Sequence, residues 1–588
     1  MKSVKEKDPT YVDLEASNQS GHKYKVTQSK DESITSNKKT LLLTLCILVT
    51  EMCERLTYYS ITANLILFCT AHLDIPQATA TTVNQVFSGF VYIVPIFGGF
   101  IADAYAGRFV TILVSCVLYI IGTLVIVASA VDYDTWGWEP LSDAGKRGTF
   151  FAGLVFIALG TGGIKANVGP FGAEQVESMG PGAVRSFFNW FYWVVNVGAF
   201  IAYAFVAYIQ QNISFAWGFL VPFLSMTVAC FIFVCARTAY VRTAPKGSVF
   251  TDVFKICRQG ACKRDPPSNP NLPPGSEKKI LASAKISFGG YSEDHLVDGV
   301  VSVIRVIPFC LLVIMYWALY SQMSNTFFAQ SERMDVRLTD DFSMPAAALN
   351  IFDAICIIIL VPFVDILLYP CFEKLGKPLS YLKRIGIGFI LSMIGVLIAG
   401  VVEIYRKKDL EEHHIVQVLA GENFTASTMS VFVQVPQFAL IGASEIFTSV
   451  TSLEFAYNQA PVSMQGLLTG LFLAASGFGN WVSTAIIAIV EKASEEHPWW
   501  GDEINDCKME YLLFLLGGLM FVNFLIFCVV SHYYTYQDPA TFEKVVDDDK
   551  TDNVDYADFP HSNGSSTNNI KLRELVDDYT HEKYDQKQ

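Results

Sequence analysis

Near the start of the chain, in an otherwise apolar stretch, Glu51, Glu54 and Arg55 fall within five positions and are followed by Tyr58 and Tyr59. Spacings of three, four and seven place Glu51, Glu54, Arg55 and Tyr58 on one face of a helix. If that helix crosses a bilayer, each charge near its centre costs about 2.5 to 3.5 kcal/mol. The three charges therefore face a partner or a water-filled path rather than lipid. One arrangement is a self-neutralising structural cluster with Arg55 tied to Glu51. One arginine does not neutralise two glutamates, however, and the surplus carboxylate takes either another cation or a proton. A carboxylate that alternates between the two is a proton-coupling device.

A suitable cation lies further along, where Lys165 sits in the apolar run Leu159-Gly160-Thr161-Gly162-Gly163-Ile164-Lys165-Ala166-Asn167. The glycines here do not form a phosphate loop, because no Lys-Ser or Lys-Thr pair follows a glycine. They suit close approach of helices, and the bland alternative for Lys165 is a side chain snorkelling to the surface. In the second half of the chain the apolar runs carry Glu445 and Asp353. Negative charge in one half facing Arg55 and Lys165 in the other suits a zwitterionic ligand, with Tyr92, Asn196, Trp317 and Gln322 as further polar or aromatic wall candidates. Any single aromatic among these is better explained by belt or core packing.

Positioning such groups takes a frame, and hydropathy supplies it. Of 588 residues, 52% are hydrophobic and only 17% charged, against roughly a quarter charged in soluble domains. Runs long enough to span a bilayer as helices lie near 41–69, 82–102, 109–130, 149–169, 186–209 and 215–236. Six more lie near 301–323, 346–369, 384–404, 430–452, 466–490 and 510–533. The expected architecture is an all-α membrane protein of twelve transmembrane helices in two six-helix halves, 40–237 and 301–533. Tails cover 1–39 and 534–588. The segment 238–300, with Lys263-Arg264-Asp265-Pro266-Pro267 and Asn271-Leu272-Pro273-Pro274, reads as an inter-half linker. Its basic residues put it and both termini in the cytosol, and the polar first forty residues lack the pattern of a secretory signal.

That orientation places the sequon Asn423-Phe424-Thr425 outside the cytosol, available for glycosylation, and leaves Asn563-Gly564-Ser565 inside. Asn212-Ile213-Ser214 is also outside, but close to a membrane edge. Proline at 95, 308, 362 and 436 is expected to interrupt spans. The 13 cysteines lie mostly in apolar runs and form no disulfide framework, and Cys257 with Cys262 lacks a nearby histidine for zinc. The net charge of -14 comes mostly from the tails and loops and says little about the apolar core, and no basic stripe for nucleic acid appears.

Taken together these residues resemble the proton-coupled oligopeptide transporter family of the major facilitator superfamily. The first-span pattern stands as Glu51-Met52-Cys53-Glu54-Arg55-Leu56-Thr57-Tyr58-Tyr59. The fourth-span pattern stands as Gly162-Gly163-Ile164-Lys165-Ala166-Asn167, and the fifth as Phe188-Asn189-Trp190-Phe191-Tyr192-Trp193-Val194-Val195-Asn196. Glu445-Ile446-Phe447 with Leu453-Glu454-Phe455-Ala456-Tyr457 matches the tenth. Gly99, Asp103, Gly107 and Arg108 are similar to the superfamily's loop motif, which implies a gating role for Asp103 and Arg108. Tyr316-Trp317-Ala318-Leu319-Tyr320-Ser321-Gln322 and Phe352-Asp353-Ala354 resemble the animal peptide/histidine branch, solute carrier family 15.

The resemblance implies a major facilitator fold, no enzymatic activity, and no cofactor other than protons as coupling ion. It implies proton coupling through Glu51, Glu54, Arg55 and Glu445. The substrate carboxylate would go to Arg55 and Lys165 and its amino group to Glu445, with Tyr58, Tyr59, Tyr92, Asn196, Trp317 and Asp353 lining the pocket. The expected cargo is small peptides or free histidine, moved by alternating access from an endolysosomal lumen or the outside into the cytosol. The match departs at Ser88, where intestinal-type relatives carry histidine, and at Ser321-Gln322, where the seventh span lacks an acid. Two alternatives stand beside it: a carrier of another solute, such as an anion, and a substrate-sensing receptor or scaffold whose tails bind cytosolic partners. Tyr11-Val12-Asp13-Leu14 and Tyr556-Ala557-Asp558-Phe559 are similar to endosomal sorting signals, four-residue patterns that also arise by chance; the resemblance to the peptide/histidine branch implies endosome or lysosome rather than plasma membrane.

Overall fold

The computed structural model describes residues 15–17, 23–25, 30–137, 139–245, 249–262, 281–339, 342–377, 379–459 and 462–536. The two tyrosine signals, Asn563 and the two proline-rich linker motifs lie outside these residues. Among the described residues twelve helices form the bundle, six in each half of the chain. The first six are α1 (Lys30–Ala63), α2 (Gln77–Ile101), α3 (Arg108–Ala130), α4 (Asp143–Val176), α5 (Pro181–Ile201) and α6 (Phe215–Cys235). The second six are α7 (Asp294–Tyr320), α8 (Asn350–Phe363), α9 (Tyr381–Glu412), α10 (Val435–Glu445), α11 (Val462–Ala493) and α12 (Met509–Tyr533). Among the described residues, eleven helical segments are long and apolar enough to cross a membrane. The helix outside that set is α1, whose apolar part is interrupted by Glu51, Glu54 and Arg55.

Local chemistry sets the helix ends. Pro76, extended at φ -53 and ψ 144, caps α2, whereas the α2–α3 turn runs through Gly107 at φ 75, a left-handed value that costs glycine nothing. Pro95, Pro308 and Pro362 do lie inside helices. Pro436 does not interrupt its helix: it occupies the first turn of α10, after a 3-10 turn over Val431–Gln434, where its missing N–H has no helical partner to lose. The segment expected to be a plain linker carries a helix over Val249–Cys262, and α7 starts at Asp294, ahead of residue 301.

The helix pairings of the first half recur in the second. α1 packs on α5 and α6, α2 on α4, and α3 on α4 and α6. Likewise α7 packs on α11 and α12, α8 on α10, and α9 on α10 and α12. Between the halves, α2 packs along α11. Close crossings rest on glycine. A Cβ on Gly98 of α2 would come within 2.9 Å of Gly163 Cα in α4, so any larger residue forces the two helices apart.

The face where α1 begins and α12 ends is termed the terminal face. The opposite one, the hairpin face, carries two antiparallel strands, His414–Leu419 and Glu422–Ser427, with Val418 opposite Asn423. Hydrogen bonds between the halves gather toward the hairpin face. Gln77 Nε2 donates to Glu332 Oε2 at 3.3 Å, Asn84 Nδ2 to Asn325 Oδ1 at 3.0 Å, and Gln85 Nε2 to Ser483 Oγ at 2.8 Å. Ala346 N donates to Gln211 Oε1 at 3.3 Å.

Candidate functional site

Between the halves lies a cavity of about 1060 Å³, a figure that includes the space of its open mouth. Four-residue spacing on α2 puts Asn84, Ser88 and Tyr92 on its wall. α1 supplies Tyr58 and Tyr59, and α5 supplies Tyr192 and Asn196. The second half contributes Tyr320, Asn325, Asn350, Asp353, Glu445 and Asn480.

Asp353 and Glu445 meet where α8 crosses α10. A Cβ on Gly442, one turn before Glu445, would stand 2.6 Å from Asp353 Oδ1 and 3.0 Å from its backbone oxygen, so only glycine permits the approach. The turn after Glu445 is a π-turn over Ile446–Val450, a local widening of the helix of the kind found at functional positions. Tyr320 Oη donates to Asp353 Oδ2 at 3.3 Å. Asp353 Oδ1 and Glu445 Oε2 are buried without a hydrogen-bond partner, and neither carboxylate has an ion-pair partner among the described residues. Two acids with no cation form a receptor for a positive group.

The first-half charges sit one layer deeper. Arg55 Nε lies 3.1 Å from Glu51 Oε1, and the same guanidinium pairs with Glu54, all three side chains being almost fully buried. Lys165 Nζ lies 3.2 Å from the centre of the Tyr92 ring and 5.5 Å from that of Tyr58, with no hydrogen-bond partner. Such a desolvated cation–π contact is worth about 2 kcal/mol. Tyr58 and Tyr92 face the cavity and the charges stand behind them. In this conformation Arg55, Lys165, Glu51 and Glu54 are thus not wall residues. The Tyr92 ring stands between Lys165 and the cavity.

Tyr58, Tyr59, Tyr92, Asn196, Asp353 and Glu445 are all on the cavity wall. Trp317 is not. It packs edge-on to Tyr316 and Tyr320, at 5.3 and 5.0 Å between ring centres, and its Cβ lies against Gly479 of α11, where a Cβ would come within 2.4 Å of it. Gln322 is fully buried and donates to Ser483 Oγ at 2.8 Å, extending the Gln85 bond across the halves. Away from the cavity, Arg108 lies 3.8 Å from Asp103 and pairs with Glu174, whose Oε1 also accepts from Thr243 Oγ1 at 2.9 Å. These groups link the ends of α2, α3 and α4 with the segment that follows α6 on the terminal face. Asn423 is exposed on the hairpin. The cavity carboxamides Asn84, Asn325, Asn350 and Asn480 were not anticipated, although the spacing of Asn84, Ser88 and Tyr92 offered the signal.

Two six-helix halves with matching internal pairings, enclosing a polar cavity with carboxylates on one side and cations behind the other, define a multi-pass membrane carrier. The chain matches the model of the POT family over residues 109–502. It is 33% identical to Protein NRT1/ PTR FAMILY 8.1 of Arabidopsis thaliana over 546 residues, covering 84% of this chain and 93% of that protein. To Solute carrier family 15 member 3 of Mus musculus it is 29% identical, covering 84% and 92%. Its fold is similar to that of an auto-inhibited POT family peptide transporter, with a TM-score of 0.68 at 23% identity over 84% of this chain and 98% of that one. The chain belongs to the POT family, a family of transporters rather than enzymes.

Proposed function

We propose that this carrier is a proton-coupled symporter of di- and tripeptides and of free histidine, delivering them by alternating access to the side that bears the chain termini. The observation that supports this most is the pair of carboxyl oxygens on Asp353 and Glu445 without hydrogen-bond partners, in a wall without a cation, with Lys165 held only by aromatic rings on the other half. The substrate ammonium binds Asp353 and Glu445. Its carboxylate draws Lys165 and Arg55 forward past Tyr92 and Tyr58, and a proton on Glu51 or Glu54 releases the guanidinium that they share. Closure at the hairpin face by the Gln77, Asn84, Gln85 and Gln211 bonds fits a state open toward the terminal face.

One proton is a sufficient driver, since a pH unit is worth about 1.4 kcal/mol, roughly tenfold accumulation. An anion carrier fits less well, because Asp353 and Glu445 would repel the cargo. With both tails in the cytosol, import from an acidic endolysosomal lumen follows the proton gradient. The test is uptake of radiolabelled histidine and a dipeptide into proteoliposomes under an imposed pH gradient. Accumulation of either by the native protein, lost in Glu54→Gln, is the expected result. Uptake indifferent to collapse of the gradient removes the coupling, and uptake of neither compound removes the substrate assignment.

A further inference from the structure

Glu332 ends the short helix Thr326–Glu332 that continues α7 toward the hairpin face, and it is fully buried. Its Oε2 accepts the bond from Gln77 Nε2, at the first position of α2 in the other half, at 3.3 Å, and its Oε1 has no partner. The nearest cation, Arg333 Nη1, is 3.8 Å from Oε2. That guanidinium is already engaged, since Nε and Nη2 donate to Glu503 at 3.0 and 3.2 Å while it stacks 4.4 Å over the Phe424 ring.

The other groups packed around the site add no free positive charge. From the loop after α11 come Glu503 and Asp502, the latter accepting from Ala78 N at 3.4 Å. From α9 comes the fully buried Glu403–Arg406 pair, 2.7 Å apart, with Arg406 Nη1 also donating to Arg333 O at 3.3 Å. The hairpin contributes the neutral Gln417, which donates to the Glu332 backbone oxygen at 3.0 Å, and α2 contributes Gln77 alone. Glu332 thus shares one guanidinium with Glu503 while holding the opposite half of the molecule.

We propose that Glu332 is a second proton-binding site of this carrier, a latch that holds the hairpin face shut when ionised and loosens it when protonated. Ionised, Oε2 accepts a charge-assisted hydrogen bond from Gln77, about twice as strong as a neutral one. A proton arriving from the hairpin-side solvent forms an O–H bond at Oε1. The carboxyl is then neutral, the Gln77 bond becomes an ordinary one, and the two halves part more readily at that end. The proton returns to the same solvent when the pH rises. Acid on the hairpin side therefore favours the state that loads from that side. The site is separate from the cavity carboxylates and adds a pH sensitivity of the gate to the transport function proposed above, on which its physiological meaning rests.

The test reads the gate without substrate. Amide hydrogen exchange of the full-length protein in lipid nanodiscs is followed at pH 5.5 and 7.5, corrected for intrinsic exchange, over the hairpin-face parts of α2 and α11. The native protein is expected to exchange there about fivefold to tenfold faster at the acid pH, the ratio between a charge-assisted and a neutral bond. Glu332→Gln, which keeps the shape and the acceptor but does not titrate, is expected to exchange fast at both pH values. Gln77→Leu, which leaves every charge in place, is expected to do the same. A native-like pH dependence in either variant, or no pH dependence in the native protein, overturns the latch. Because no cargo is present, a carrier of a different solute would still show the effect, so this result and the substrate assignment fail independently.

Discussion

Replacing Glu445 by glutamine preserves the volume of the side chain and removes one of two acids from a wall that has no cation. A substrate ammonium about 4 Å from one carboxylate gains roughly 4 kcal/mol at an effective dielectric of 20, and truncating one partner of such a pair costs about 2 to 5 kcal/mol in mutational studies. Asp353, held by Tyr320 at 3.3 Å and left with a free Oδ1, remains to receive the amine, so the lower end applies. The expected loss is about 2 to 3 kcal/mol, or roughly 30-fold to 150-fold in Kd. The assay is binding of a labelled dipeptide to purified protein, beside the same dipeptide lacking its amino group. The native protein is expected to prefer the amine; Glu445→Gln loses most of that preference while binding the des-amino compound as the native protein does. Adding Asp353→Asn completes a cycle in which the two losses are not additive, because both acids serve one cation. Equal weakening of both ligands in Glu445→Gln refutes the assignment, since a residue that merely shapes the cavity does not distinguish an amine.

Gly98→Ala is expected to destabilise the protein by about 1 to 3 kcal/mol, because the new Cβ meets the α4 backbone, whereas Gly99→Ala, whose Cβ would find Ala166 Cβ at 3.6 Å, leaves the melting temperature unchanged. When the chain is expressed through the secretory pathway, endoglycosidase is expected to lower its apparent mass, and Asn423→Gln to run at the treated mass from the outset; an unshifted native band contradicts the orientation. Hydrogen bonds from Arg337 hold the Asp335 carboxyl below its ordinary range, so its contribution to stability is complete above the unfolded value of about 3.9 and is lost only as pH falls through the lower folded value. Asp335→Asn accordingly lowers the melting temperature by the same amount at pH 7 and pH 5, and the gap closes only below about pH 4; closure already at pH 5 would contradict the Arg337 pairing.

Much of the frame was legible because lipid enforces it: a helix carrying Glu51, Glu54 and Arg55 in apolar surroundings has few places to put them, and periodicity alone put them on one face. The order of layers at the site was not legible. Hydropathy scores Tyr58 and Tyr92 as ordinary aromatic residues of a span, and nothing in their spacing says that they stand between the cavity and Lys165. Trp317 was assigned to the wall because sequence shows which helix bears a residue but not which neighbour has a gap, here Gly479. Pro436 was read as a kink because a hydropathy window does not register where the first turn of a helix begins. Glu332 escaped notice because it lies past the end of the apolar run, where a charged residue looks solvated; its burial depends on α2 and on the loop that follows α11.

The bond from Gln85 to Ser483 joins residues 398 positions apart. At synthesis rates of about 5 to 20 residues per second, roughly 20 to 80 s separate the emergence of its two ends from the ribosome. For the larger part of that interval, once Cys235 has emerged, the first six helices are complete while the surface that the second half will meet, including Asn84 and Gln85, has no mate. The nascent half must therefore be stable enough, through its own α2–α4 and α1–α6 packing, to wait with a polar flank turned toward lipid or a chaperone. Defects that weaken it are expected to appear first as lost yield during biogenesis rather than as slow transport in the molecules that survive.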